Sequence, residues 1–266
     1  IMKLKNILQK RCSQIFLLVA VMLLFAGCST VPYTDRSQLM FYSESDDISL
    51  GNQAWQEIAA QSTQETQGAQ LAQLKRVGKQ IAAIADKKQY DWEFYVLNSD
   101  QVNAFALPGG KIAFYKPIFT YFANDSEVAV VMGHEIAHVI ARHSMERQSQ
   151  VNVQSLGWSA ISALTDDESQ RNVLMAVYGV TSNLGAILPY SRKHEYEADY
   201  IGMILMAKAG YDPGAAVTFW KKFGALESSS GGFLNTFLST HPMSEDRLAE
   251  MQKNLPEIRA KYFRQK

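Results

Sequence analysis

Apolar side chains recur every three or four positions through most of this chain. Only between residues 92 and 115 does the pattern change to short aromatic and β-branched runs. The first spacing is that of helices with one buried face, the second that of strands. Helices are expected over 46–61 and 69–85, separated by the polar linker 62–68. Strands are expected over 92–97, 102–107 and 111–115, the last two joined by the tight turn Pro108-Gly109-Gly110. Asn124 with Glu127 three residues later resembles a capping box and opens a helix that should run through about residue 143. Helical periods follow over 151–164, 168–188, 192–209, 213–226 and 244–263. Breaks fall at Pro189, at 210–213 and at 228–232, the last read as a mobile surface loop. The sum is an α+β fold, a single mostly helical domain with a small β-sheet.

The first 28 residues follow a different pattern. Lys3, Lys5, Lys10 and Arg11 precede an apolar run over 15–26 that is too short to span a bilayer, which takes about 20 residues. This is the layout of a secretory signal peptide. It ends in Leu24-Phe25-Ala26-Gly27-Cys28, which resembles the lipobox of bacterial lipoproteins, with Phe25 where a smaller or aliphatic residue is usual. The expected organisation is a signal peptide over 1–27, a lipidated tether over 28–45 with Cys28 as lipid carrier, and the domain over 46–266. Ser29 after the cysteine points, in those lipoproteins, to the outer membrane. No further apolar run of about 20 residues follows.

Composition adds two restrictions. The chain has 26 basic and 26 acidic residues among 266, and the leader holds basic residues only, so the remainder is net acidic. Nothing in that balance suggests nucleic acid. The two cysteines, Cys12 and Cys28, both lie in the leader region, so the domain carries neither a disulfide nor thiol chemistry.

The chemistry concentrates in His134-Glu135-Ile136-Ala137-His138. Two histidines four apart share a helix face one turn apart, a spacing that suits two imidazoles on one Zn²⁺. Glu135 falls beside such a metal, placed to act on its water. Catalytic zinc takes three protein ligands and an open position. On the later helix, Glu195 and Asp199 stand four apart. Glu195 could complete a His₂Glu set, and Asp199 could accept the remaining N–H of a ligand histidine. The alternative for Glu195, Glu197 and Asp199 is a solvated acidic helix start favoured by the helix dipole. His143 is read as structural, a cation complementing the C-terminal end of the metal helix, and His194 as structural on another face.

These motifs occur in order with Asn103-Ala104-Phe105-Ala106-Leu107-Pro108-Gly109-Gly110. Together they resemble the metallopeptidase family of the CAAX prenyl protease and HtpX, a branch of the gluzincins. Leu188-Pro189-Tyr190-Ser191-Arg192-Lys193 resembles, within it, the soluble-domain bacterial lipoproteins and mitochondrial OMA-type proteases. The resemblance implies a gluzincin-like catalytic domain with one Zn²⁺ per chain, held by His134, His138 and Glu195. It makes Glu135 the catalytic base. It also implies that Asn103, Ala104 and Phe105 line the cleft on an edge strand, to which an extended peptide could add.

Thr240-His241-Pro242 with Arg247 resembles the family's late histidine–arginine pair. His241 is then an oxyanion donor or a fourth ligand that closes the site; otherwise it caps the loop before the last helix. Arg247 orients Asp199 or Glu195, or binds substrate backbone. The expected activity is zinc-dependent endoproteolysis of unfolded or misassembled proteins in the bacterial cell envelope, from a lipid anchor on the outer membrane facing the periplasm. The expected partners are polypeptide substrates and the membrane. The competing reading is a periplasmic chaperone or assembly factor with a structural or latent zinc. Oligomeric state is left open.

Overall fold

The computed structural model describes residues 28–164, 192–227 and 235–264. The leader, the expected helix over 168–188, the break at Pro189 and the loop over 228–232 lie outside these residues.

Strands β4 (Glu93–Asn98) and β6 (Lys111–Tyr115) run parallel at the centre of a four-stranded sheet. Phe94 pairs with Ile112 and Val96 with Phe114. Strand β5 (Ala104–Leu107) returns antiparallel to β6 and forms one edge. At the other edge lies β3 (Thr63–Gln64), a short strand within the segment expected as linker. The β5–β6 turn depends on Gly109 and Gly110, whose φ of 78° and 104° fall where side chains are disfavoured. Two further strands, β1 (Cys28–Thr30) and β2 (Ser37–Leu39), pair into a separate antiparallel hairpin.

Helix α1 (Glu44–Gln61) opens at Ser43, whose hydroxyl accepts the Asp46 N–H while the Asp46 carboxylate accepts the Ser43 N–H. That reciprocal cap starts the helix earlier than the apolar period indicates. Helix α2 (Ala69–Ala82) buries Leu71, Leu74, Val77 and Ile81 on one face. Gly78 lets it approach the sheet, since a Cβ there would lie 2.5 Å from the Phe94 ring.

Helix α3 (Asp125–Ile140) is central: every residue from Val128 to Ile140 is buried. A helix enclosed all round positions its polar residues rigidly, and this one carries both motif histidines. Asn124 caps it as expected, accepting from the Ser126 and Glu127 amides, while Glu127 accepts the Ala123 N–H. Around α3 lie α2, β5, α5 (Arg192–Lys208) and α6 (Gly214–Glu227), with α8 (Glu245–Tyr262) behind α5 and α6. The aromatic rings of Trp220 and Phe223, packed against Phe219, meet Phe237 from the short α7 (Asn235–Thr240). Among the described residues, no helix is long and apolar enough to cross a membrane.

Two expectations need correction. The metal-motif helix does not run through residue 143: it ends at Ile140, and α4 (His143–Leu164) begins after a sharp turn. Arg142 makes that turn with a left-handed φ of 57°. Its guanidinium is anchored on Asp47 at 2.7 and 2.8 Å and on the carbonyls of Tyr42 and Ser43, so contacts from the start of α1 hold the strained residue. The stretch 28–45 is not a free tether either. Val31 is 1% exposed, Gln38 and Met40 are buried, and Arg36 is ion-paired to Glu146 and Glu197 of α4 and α5.

Candidate metal centre

On α3, one helical turn carries His134 and His138 to the same face, with their Nε2 atoms 3.1 Å apart. Helix α5 crosses at Gly202 and delivers Glu195, whose carboxylate lies 3.3 Å from each of these nitrogens. His241, just after α7, is held by a 2.8 Å hydrogen bond from its N–H to the Phe237 carbonyl. It brings Nδ1 to 3.1 Å from His134 Nε2 and 3.3 Å from Glu195. The four donor atoms lie within 4.8 Å of one another, and all four residues are buried.

These separations test whether zinc fits. Ligands about 2.0–2.1 Å from a tetrahedral Zn²⁺ are spaced by about 3.3 Å along each edge of the tetrahedron. The closest donor pairs match that spacing. Glu195 Oε1 and Glu135 Oε1 are, in addition, buried oxygens with no hydrogen-bond partner. Unpartnered buried carboxylate oxygens are costly, and a divalent cation among them removes the cost for Glu195. The donor set of imidazoles and one carboxylate suits zinc.

Electrostatics agree. Burial alone would lower the His134 pKa, yet Glu195 and Asp199 hold it up at about 9, so the cavity favours a cation. Burial dominates at His138 and pushes it well below the ordinary histidine value. Glu195 is held well below the carboxylate range despite burial, by His241, His134 and His138. Glu135 goes the other way: burial, reinforced by Glu195, raises it, against the pull of His241, His134 and the Ala106 backbone.

Behind the donors, Asp199 accepts from His134 Nδ1 at 3.0 Å, which leaves Nε2 to face the cavity. Arg247, 2% exposed, clamps Asp199 with two 2.7 Å hydrogen bonds and lies 3.0 Å from Glu195 Oε2. It thus contacts both carboxylates and is buried. His241 turns its other nitrogen to Glu135 Oε1 at 3.4 Å.

Edge strand β5 runs beside this cluster. Asn103, Ala104 and Phe105 line a groove of about 590 Å³ together with Glu135, His241, Leu50 and Met145. The Asn103 Oδ1 accepts the Ala104 N–H at 2.9 Å.

Residues 69–255 match the sequence profile of Peptidase family M48. The chain belongs to this family. It is a family of zinc metallopeptidases, in keeping with the His134–His138–Glu195–His241 cluster. The chain is 37% identical over 188 residues to the mitochondrial metalloendopeptidase OMA1 of Schizosaccharomyces pombe, covering 71% of this chain and 54% of that protein. It is 32% identical to the protein of the same name from Saccharomyces cerevisiae, over 97% of this chain and 79% of the other. It is 28% identical to the beta-barrel assembly-enhancing protease of Escherichia coli, over 70% of this chain and 39% of that one. The chain thus spans about half the length of the first of these relatives and less of the last.

The sequence reading missed a set of residues behind His138. His143 was expected to be a cation at a helix end; it is buried, and burial pushes its pKa down to about 4, so it is neutral. Its Nδ1 lies 2.8 Å from His138 Nδ1 and its Nε2 3.0 Å from Glu197. His194 stacks on it with ring centroids 4.2 Å apart. No local pattern pointed to this group; the one available signal was a histidine five residues past the motif.

Proposed function

We propose that this chain is a zinc-dependent endopeptidase of a bacterial cell envelope that cuts unfolded or misassembled polypeptides. The observation that carries the reading is the position of Glu135, beside the four-donor cluster and in the groove along edge strand β5. Zinc bound by His134, His138 and Glu195 supplies Lewis acidity toward a water molecule and the substrate carbonyl. The Glu135 carboxylate takes the proton of the attacking water and delivers it to the leaving amine.

An extended peptide adds to β5 through main-chain hydrogen bonds, which favours unfolded chain and demands little of sequence. Phe105, Leu50 and Met145 give the groove an apolar side that suits segments normally buried in folded proteins. His241 lies within reach of the same cavity; as a fourth ligand it would close the site, and with its imidazole turned away it would leave a position for substrate and could serve as oxyanion donor. The same closed form is what favours the second reading, a holding or assembly factor with a latent zinc.

Lipidation at Cys28 and attachment to the outer membrane complete the proposal, supported by the leader and lipobox-like sequence. Placement nearer the soluble-domain lipoprotein and OMA-type branch is supported by the absence of a membrane-crossing helix among the described residues and by the similarity to OMA1. Digestion of one polypeptide in its native and its unfolded state tests the substrate class. Cutting of the unfolded form alone is expected, and equal cutting of both contradicts it. Loss of radiolabelled palmitate in Cys28→Ser is expected for the anchor; retained label contradicts it.

A further inference from the structure

The two motif histidines are oriented from behind in different ways. His134 is backed directly by Asp199, itself clamped by Arg247. Behind His138, the atom at 2.8 Å is Nδ1 of His143. Zinc on Nε2 of His138 would fix the proton directions along this second line. With Nε2 turned to the metal cavity, His138 carries its proton on Nδ1 and donates it to His143 Nδ1. His143 then carries its own proton on Nε2 and donates to Glu197 Oε2 at 3.0 Å. Glu197 also accepts from Arg36 Nε at 2.9 and 3.1 Å and from the Thr34 hydroxyl at 2.5 Å. Arg36 extends its other two nitrogens to Glu146, and Glu146 is bonded to His194, the ring that stacks on His143.

We infer that Glu197 and Arg36 are positioning residues of the metal centre, acting on His138 through His143, and that the β1–β2 hairpin is therefore part of what holds zinc. Carboxylate behind a ligand imidazole raises its basicity and fixes its tautomer. Here the charge of Glu197 is passed on by one neutral imidazole, each hydrogen bond polarising the next. The hairpin contributes Thr34 and Arg36, which lie more than 150 residues from Glu197 in sequence, so docking of the N-terminal segment and the grip on His138 are one arrangement. Burying an arginine, two glutamates and two histidines together costs more than an apolar contact of the same volume would. An apolar contact could dock the hairpin equally well, but it could not orient His138.

The inference rests on the zinc reading above. It is tested by measuring Zn²⁺ affinity of the full chain against a competing chelator, at a temperature where the metal-free form is folded by circular dichroism. Glu197→Gln keeps the side-chain shape and is expected to bind Zn²⁺ about 10–100-fold more weakly. Thr34→Val, a milder change that keeps the ion pairs, should shift affinity in the same direction by less. Arg36→Lys should retain more affinity than Arg36→Ala. Variants that lose thermal stability yet bind Zn²⁺ as tightly as the unmodified chain would overturn the inference and leave the zinc site standing. An unmodified chain that binds no Zn²⁺ would overturn both.

Discussion

Gly133 and Gly202 face each other where the two metal-bearing helices cross, with almost no space between backbones. A Cβ on Gly133 would lie 2.9 Å from the Gly202 carbonyl oxygen, and one on Gly202 would lie 2.9 Å from the His134 nitrogen. Both obstacles are backbone, which cannot swing aside. This crossing sets the distance from His134 and His138 to Glu195, so packing and ligand geometry are the same constraint. Gly133→Ala and Gly202→Ala are each expected to destabilise the fold by about 1–3 kcal/mol, the usual range for overpacking. Each should also lower zinc occupancy beyond what the fraction unfolded explains. Melting curves with zinc content on the same samples check this; a stable, fully zinc-loaded Gly133→Ala contradicts it.

Arg247 is predicted to matter for stability as well as for the site. Its removal leaves Asp199 and Glu195 buried without their counter-charge, a change that typically costs about 3–5 kcal/mol. Asp199→Asn keeps a hydrogen-bonding group behind His134 but removes the charge, and zinc affinity should fall about 10–100-fold. Calorimetry of Arg247→Ala and chelator competition with Asp199→Asn measure the two effects separately.

The four-donor set makes a crystallographic prediction. A zinc-edge anomalous map should show one peak within bonding distance, about 2.0–2.2 Å, of His134, His138, Glu195 and His241. A peak bonded to three of them with His241 turned away would remove the closed form. Glu195→Ala should no longer hold stoichiometric zinc by elemental analysis.

The hairpin contacts carry a pH dependence of definite sign. Burial raises the Glu146 pKa, but His194 and Arg36 outweigh it and hold it at about 2, below the ordinary 4.5. A carboxylate depressed on folding contributes stability that is present above about pH 4.5 and is lost as pH falls toward 2. Melting temperature of the metal-free chain should therefore fall more steeply below about pH 4.5 than that of Glu146→Gln. Parallel curves for the two would contradict this role for Glu146.

What could be read from sequence divides along physical lines. His134, Glu135 and His138 were legible from the helical spacing of the motif, whereas Glu195 and Asp199 came from the family resemblance, since their spacing alone equally fits a solvated acidic helix start. The sheet was legible from β-branched and aromatic runs and from Pro108-Gly109-Gly110. The end of α3 was not. Ala141, Arg142 and His143 are compatible with continued helix, and what stops it is Asp47, about 95 residues away, gripping Arg142. The stretch 28–45 read as a tether for the same reason: polar residues look solvated until their partners are known. Arg36 finds Glu146 and Glu197 only in the folded chain. His143 followed from that error, since a residue read as a cation ending one helix instead begins the next and is buried.

The central claim is that Glu135 performs acid–base chemistry beside a bound zinc. Cleavage of an unfolded polypeptide by the zinc-loaded chain and by Glu135→Gln, with zinc content determined on the same samples, tests it most directly. Both proteins should hold one zinc per chain, and cleavage by the variant should fall by at least about 100-fold. Undiminished cleavage by Glu135→Gln, or a chain that cuts without zinc, would contradict the account.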